Sequence, residues 1–84
     1  MAWIMAQDFV KKRLVSPGSA DFGGMFEQSF EDCVTDLGKG RYLVKGWVDS
    51  QNRFGAELRS NFTCTLTYLG NDQWQCEWLH ILER

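Results

Sequence analysis

Ala56-Glu57-Leu58-Arg59-Ser60-Asn61-Phe62-Thr63-Cys64-Thr65-Leu66-Thr67-Tyr68 is the stretch that decides the fold. Its even positions carry Ala, Leu, Ser, Phe, Cys, Leu and Tyr; its odd positions carry Glu, Arg, Asn and three Thr. A period of two sends successive side chains to opposite faces of an extended chain. The pattern predicts one long antiparallel strand, apolar on its inner face and polar on its outer face.

The flanking residues extend this reading in both directions. Residues 41–49 alternate in the same way, with Tyr42, Val44, Gly46 and Val48 on one side and Leu43, Lys45, Trp47 and Asp49 on the other. Ser50, Gln51, Asn52, Arg53 and Phe54 read as a loop, and Gly55 opens the long strand. Pairing Asp49 with Gly55 sets Val48 against Ala56, Gly46 against Leu58 and Tyr42 against Phe62. All even residues then share a face, which a slip of one residue would destroy. Gly70-Asn71-Asp72 is a second turn. Pairing Leu69 with Gln73 sets Tyr68 against Trp74, Leu66 against Cys76 and Cys64 against Trp78. Thr67 then faces Gln75, and Thr65 faces Glu77. A first, edge strand is expected within residues 26–37, ending at the Gly38-Lys39-Gly40 turn.

Residues 2–14 contain no Gly or Pro, and Ala2, Met5, Ala6, Phe9 and Val10 fall on one helical stripe. Lys11, Lys12 and Arg13 suit the negative end of a helix dipole, and Ser16-Pro17-Gly18 stops the helix. A helix this short is marginal alone, so it must dock on the sheet. Residues 15–25 form a connector. The expectation is an α+β fold: one N-terminal helix packed on a four-stranded antiparallel meander sheet covering about residues 26–82, all within a single domain spanning 1–84.

The 84 residues suffice for one thin core, with about 64% of the unfolded surface buried. The net charge of −2 and the absence of a basic stripe argue against direct nucleic-acid binding. Three cysteines, an odd number, suit reduced thiols better than a secreted disulfide scaffold. No 18-residue apolar run occurs, so no membrane span is expected. Met1-Ala2-Trp3-Ile4-Met5-Ala6 is too short for a signal-peptide apolar region. The expected location is cytoplasmic, with export left open should a native leader precede these residues.

Catalytic chemistry finds little support. The lone histidine, His80, shares parity with Cys76, Trp78 and Trp74 and could approach Cys64 or Cys76, but no nucleophile motif accompanies it. Cys33, Cys64, Cys76 and His80 lack the close-spaced knuckles of a zinc site. Cys64 and Cys76 are diagonal neighbours, too far apart for an unstrained disulfide. No phosphate loop occurs. No cofactor and no metal are expected, and an enzyme built on His80 or a cysteine is the least favoured reading.

Two features suggest binding. Trp47 falls on the outer face beside Leu43, where it is either an exposed hot spot or is covered by the connector. The segment Asp49, Gln51, Asn52, Arg53 and Phe54 gathers hydrogen-bonding groups around an aromatic, although Asp and Asn in turns often serve only their own backbone.

The residues Tyr42, Val44, Gly46, Val48, Asp49, Gln51, Asn52, Phe54 and Gly55, continuing to Phe62-Thr63-Cys64, resemble a small domain of bacterial and phage proteins to which no activity is assigned. The run Phe9-Val10-Lys11-Lys12-Arg13-Leu14 before Ser16-Pro17 resembles the same group. Some members are similar in being joined to envelope anchors or zinc ribbons, neither of which these residues contain. The helix-then-sheet order resembles cystatin-like folds by analogy of architecture alone. The resemblance implies no activity; the length, the charge and the missing chemistry suit a non-enzymatic protein-binding module of bacterial or phage origin, such as a phage-encoded inhibitor of a host defence system of the anti-CRISPR kind. An envelope-binding domain separated from its anchor is the alternative. The partner is a protein, and a homodimer through an edge strand is a further option.

Overall fold

The computed structural model describes residues 1–24 and 26–83. Helix α1 (Ala2–Lys11) is followed by a 3-10 turn (Pro17–Ser19), a one-turn helix α2 (Phe30–Cys33) and strands β1 (Val34–Gly38), β2 (Arg41–Gln51), β3 (Glu57–Gly70) and β4 (Gln73–Glu83). The strands form one antiparallel sheet in the order β1-β2-β3-β4, and α1 packs on β2, β3 and β4. The α+β class and the meander are as the sequence predicts.

The core lies between α1 and the inner face of the sheet. Ala2, Ala6 and Val10 are buried from the helix, and Val44, Val48, Phe62, Cys64 and Leu66 from the strands. Three rings tie the layers together. Trp3 stacks on Phe62 at 6.1 Å, and Phe22 of the connector meets both edge-on, at 6.1 and 5.9 Å. Such edge-to-face contacts favour the ring quadrupoles as well as burying area.

Several boundaries differ from the reading of the sequence. The helix is regular only to Lys11; single i→i+3 bonds from Arg13 and Leu14 finish it instead of residues 12–14. The first strand starts at Val34, because residues 30–33 coil into α2. There Ser29 stands at the N-cap with its hydroxyl 3.1 Å from the Asp32 carboxylate, and Glu31 and Asp32 occupy the first turn, where acids are favoured. The sheet therefore covers residues 34–83, not 26–82.

The β2–β3 register preserves the expected parity but moves it by four residues: Tyr42 pairs with Leu66, Trp47 with Asn61 and Asp49 with Arg59. The loop holds this register. Asn52 accepts hydrogen bonds on Oδ1 from the Phe54 and Ala56 N–H groups, at 2.9 and 3.1 Å, so Asn52 closes the turn and residues 52–56 form the loop. At the other turn, Gly70 replaces Leu69 opposite Gln73, and Leu69 bulges out. Asn71 and Asp72, both with positive φ, make the two-residue connection.

A second bulge has larger consequences. Leu66 pairs with Cys76, but Thr65 pairs with Trp78, leaving Glu77 as an extra residue in β4. An inserted residue reverses the alternation of everything after it. Leu79 and Ile81 therefore pack against the core, while Trp78, His80 and Leu82 turn outward and are exposed. The expected pairs Cys64–Trp78 and Thr65–Glu77 do not form.

The connector runs along the edge of β2 beyond β1. Asp21 and Asp49 exchange backbone hydrogen bonds of 2.8 and 2.9 Å. Between that bridge and β1, the side chain of Gln28 stands in for a strand. Its Nε2 donates to the carbonyls of Phe22 and Trp47, both at 2.7 Å, and its Oε1 accepts from the Trp47 N–H at 3.1 Å and the Cys33 thiol at 3.5 Å. The residue is buried. Gly46 lies beneath it, where a Cβ would meet Gln28 Oε1 and Phe62 Cζ at 3.0 Å and Trp3 at 3.2 Å.

Replacing Gln28 by Leu strands three backbone groups at once. Each buried unpaired group costs on the order of 1–3 kcal/mol, so the Gln28→Leu change is expected to lower unfolding free energy by about 3 kcal/mol or more in urea titration. Gln28→Glu keeps the shape but loses both donors and is expected to be comparably destabilised. A loss under about 1 kcal/mol in both variants would show the clamp to be dispensable.

Candidate functional site

Directly opposed residues in a sheet share a face. The outer face can therefore be read as rows across the strands. Leu43, Thr65 and Trp78 make one row; Lys45, Thr63 and His80 the next; Trp47, Asn61 and Leu82 the third. Asp49 and Arg59 close the face at one end. At the other, Arg41 reaches the bulged Glu77 at 3.2 Å. Among the described residues no helix covers this side: α1 lies on the opposite face.

Trp47 takes the intermediate position between its two expected roles. It lies on the outer face and is half-buried. The Arg59 guanidinium sits 3.8 Å from the centre of its ring. On the connector side a Cβ at Gly23 would lie 2.6 Å from the indole, so only glycine allows this approach. Arg59 is held in turn by Asp49 through two hydrogen bonds of 2.7 and 2.8 Å, a bidentate pair that raises the pKa of the guanidinium. Trp47, Arg59 and Asp49 thus form a preassembled cluster with its orientation already set.

The remaining expected contact residues divide between the face and the loop. Leu43 is half-buried between Thr35 and Thr65. Gln51 is exposed at the end of β2, where its backbone N–H donates to Ser19 Oγ at 2.8 Å. Asn52 is occupied by its own turn. Arg53 and Phe54 are exposed at the tip, the guanidinium 5.5 Å from the ring centre, and Phe54 retains 84% of its surface. Four strand residues lie between Trp47 and Asn52, a rise of about 16 Å along β2. The loop and the tryptophan are therefore two sites and not one patch.

Trp78, His80 and Leu82 are the contact residues that the sequence reading missed. Trp78 and Leu82 retain 54% and 61% of their surface, and the Trp78 and His80 rings stack at 6.1 Å and 10°. A signal for them exists. Unbroken parity would have turned Leu79 and Ile81 to water and His80 into the core, an inversion that a bulge corrects.

His80 and Cys64 leave opposite faces of the sheet, so the imidazole does not approach that thiol. Cys33, Cys64 and Cys76 are free, and among the described residues no group of three or more His, Cys, Asp or Glu side chains is placed to hold a metal. Burial pushes the Cys64 thiol up to about 12, with Cys76 adding to the effect. Burial and then the Asp32 charge raise Cys33. Burial raises Cys76, opposed in part by a hydrogen bond with the Trp78 backbone and by the Arg13 charge. At the end of the sheet away from the loop, Trp3, Phe30, Tyr42, Tyr68, Asp72 and Trp74 line an open cleft of about 420 Å³. Its lining is mainly aromatic, with one carboxylate.

No helix among the described residues is long and apolar enough to cross a membrane. Comparison with protein-family models, with curated proteins and with solved structures finds no match.

A raised thiol pKa means a small thiolate fraction at neutral pH, growing as pH rises. The native protein is expected to react slowly with a thiol reagent at pH 7 and faster at pH 9, Cys76 first because it alone is partly exposed. All three should react together in denaturant. Fastest labelling at Cys64 would contradict its burial.

Proposed function

We propose that this chain is a non-enzymatic protein-binding module, of the bacterial or phage kind its sequence resembles, and that it binds through the outer face of its sheet. The observation that carries the reading is the bulge at Glu77, which delivers Trp78 and Leu82 to a face already bearing Leu43 and Trp47. Exposed aromatic and aliphatic side chains on a rigid sheet, rimmed by polar groups, mark interaction surfaces. Trp is the residue type most enriched at binding hot spots.

The chemistry of the partner follows from what surrounds these rings. Lys45 is exposed in the middle row between Trp47 and Leu43. The cations at the two ends of the face, Arg41 and Arg59, are engaged by Glu77 and Asp49. The complementary surface is an apolar protein patch with a carboxylate facing Lys45. Thr63 and Thr65 supply a flat, hydrogen-bonding floor between them. Phe54 at the loop tip lies outside this footprint.

Tagged protein and its variants would be compared for capture of the same partner from bacterial lysate, with affinity measured on the purified pair. Trp78→Ala is expected to weaken binding by roughly 30-fold or more, as for a hot-spot residue. Lys45→Glu is expected to reduce it further by charge reversal. Both positions are exposed, so unfolding free energy should move by no more than about 0.5 kcal/mol. Arg53→Ala is the control that should leave affinity intact. Equal capture by Trp78→Ala, Lys45→Glu and the parent would overturn the footprint.

A further inference from the structure

We propose that two copies of this chain join through β4, edge to edge and antiparallel, with His80 on the two-fold axis. The inference goes beyond the partner-binding face, because it concerns the rim of the sheet and needs no other protein.

The two rims differ in kind. An edge strand exposes unpaired N–H and C=O groups, and proteins blunt such edges with short strands, charges, bulges or covering segments. The β1 rim has all four. It is five residues long, it carries Asp36, its register breaks between Asp36 and Gly38, and beyond it β2 is sealed by the Gln28 side chain and the Asp21 backbone. The β4 rim runs eleven residues. Among the described residues no other strand pairs with it. Past the bulge it reads Trp78-Leu79-His80-Ile81-Leu82 before Glu83 ends the strand, and those five residues hold no Pro, Lys or carboxylate. That composition is the one that pairs most readily with another strand.

The same five residues are self-complementary. In an antiparallel pair centred on His80, Trp78 of one copy faces Leu82 of the other, and Leu82 faces Trp78. Leu79 faces Ile81 in the same reciprocal way. A two-fold axis requires this reciprocity. Parity is also satisfied. Trp78 and Leu82 both lie on the outer face, and Leu79 and Ile81 both lie on the core side. The pair would fuse two sheets into one of eight strands. The Glu77 bulge ends the paired window, and its carboxylate there is held by Arg41 at 3.2 Å. Aromatic–aliphatic cross-strand pairs are among the stabilising kinds.

Light scattering after size exclusion, across a dilution series, tests the association. The expected mass for the parent is twice the 9.7 kDa of the chain, shifting to the single-chain mass on dilution. Leu82→Lys places a charge in the paired window at a side chain already 61% exposed, so it should yield a folded monomer at every concentration. Register is read separately by cross-linking in a Cys76→Ser background. Opposed Cα atoms lie about 4.5–5.5 Å apart, within disulfide range. His80→Cys should therefore oxidise to a covalent dimer, whereas Gln75→Cys, outside the window, should not. A parent that stays monomeric throughout overturns the proposal. So does a dimer that is indifferent to Leu82→Lys, or one in which Gln75→Cys cross-links as well as His80→Cys. Trp78 and Leu82 belong both to the partner-binding face and to the paired window, so Lys45→Glu separates the two readings: lying two strands from this rim, it should lower partner capture and leave the dimer mass unchanged.

Discussion

A strand that loses its neighbour partway along must find other partners for its backbone, and β2 finds them in the connector, above all in the Gln28 side chain. Gln28 offers two donors and an acceptor in the geometry of a peptide group, and it closes on Trp47 as a strand residue would. Through the same carboxamide it fixes Phe22 and Cys33. Phe22 then completes the ring cluster with Trp3 and Phe62 that joins helix to sheet. The connector can reach this position only because Gly46 leaves room beneath the amide and Gly23 leaves room beside the indole. Core, connector and outer tryptophan therefore depend on one buried amide whose hydrogen-bonding capacity is used in full.

The bulge at Glu77 performs the complementary task on the other side of the sheet. β4 carries too many large apolar residues for either face alone. Before the bulge it contributes Trp74 and Cys76 to the inner side, and after it Leu79 and Ile81. The inserted residue keeps aliphatic groups under α1 and moves a tryptophan, an imidazole and a leucine into water. Glu77 itself is tied to Arg41 across the outer face. As an exposed pair this contributes little to stability, but it marks where the strand changes its facing.

The outer face that results is two-sided in character. Trp47 is steadied by Arg59 and Asp49 and is a fixed part of the surface, whereas Trp78 and Leu82 project from a strand at the rim. Binding through such a face requires little ordering of side chains on the fixed side, which lowers the entropic cost of association. The loop at residues 52–56 is stiffened by Asn52 in the same way, and its exposed Phe54 packs with Arg53 at the tip, away from Trp47 along β2.

Much of the fold is legible in the chain because side-chain parity is a local property. The alternation at residues 56–68 and 41–49 specifies two strands and their inner faces, and the stripe through Ala2, Ala6 and Val10 specifies the docked side of the helix. These follow from backbone geometry and the transfer of apolar groups from water, which each segment expresses on its own. The candidate face was legible only in part: Leu43, Trp47 and Asp49 follow from parity, while Trp78, His80 and Leu82 do not. Register between β2 and β3, the turn of Ser29 into α2, the Gln28 clamp and the bulge depend on which distant groups meet. A shift of an even number of residues leaves parity unchanged, so no local pattern distinguishes one from another. Only closure of the loop by Asn52, burial of Leu79 and Ile81 under the helix, and satisfaction of the Trp47 backbone by a residue nineteen positions away select the structure that forms.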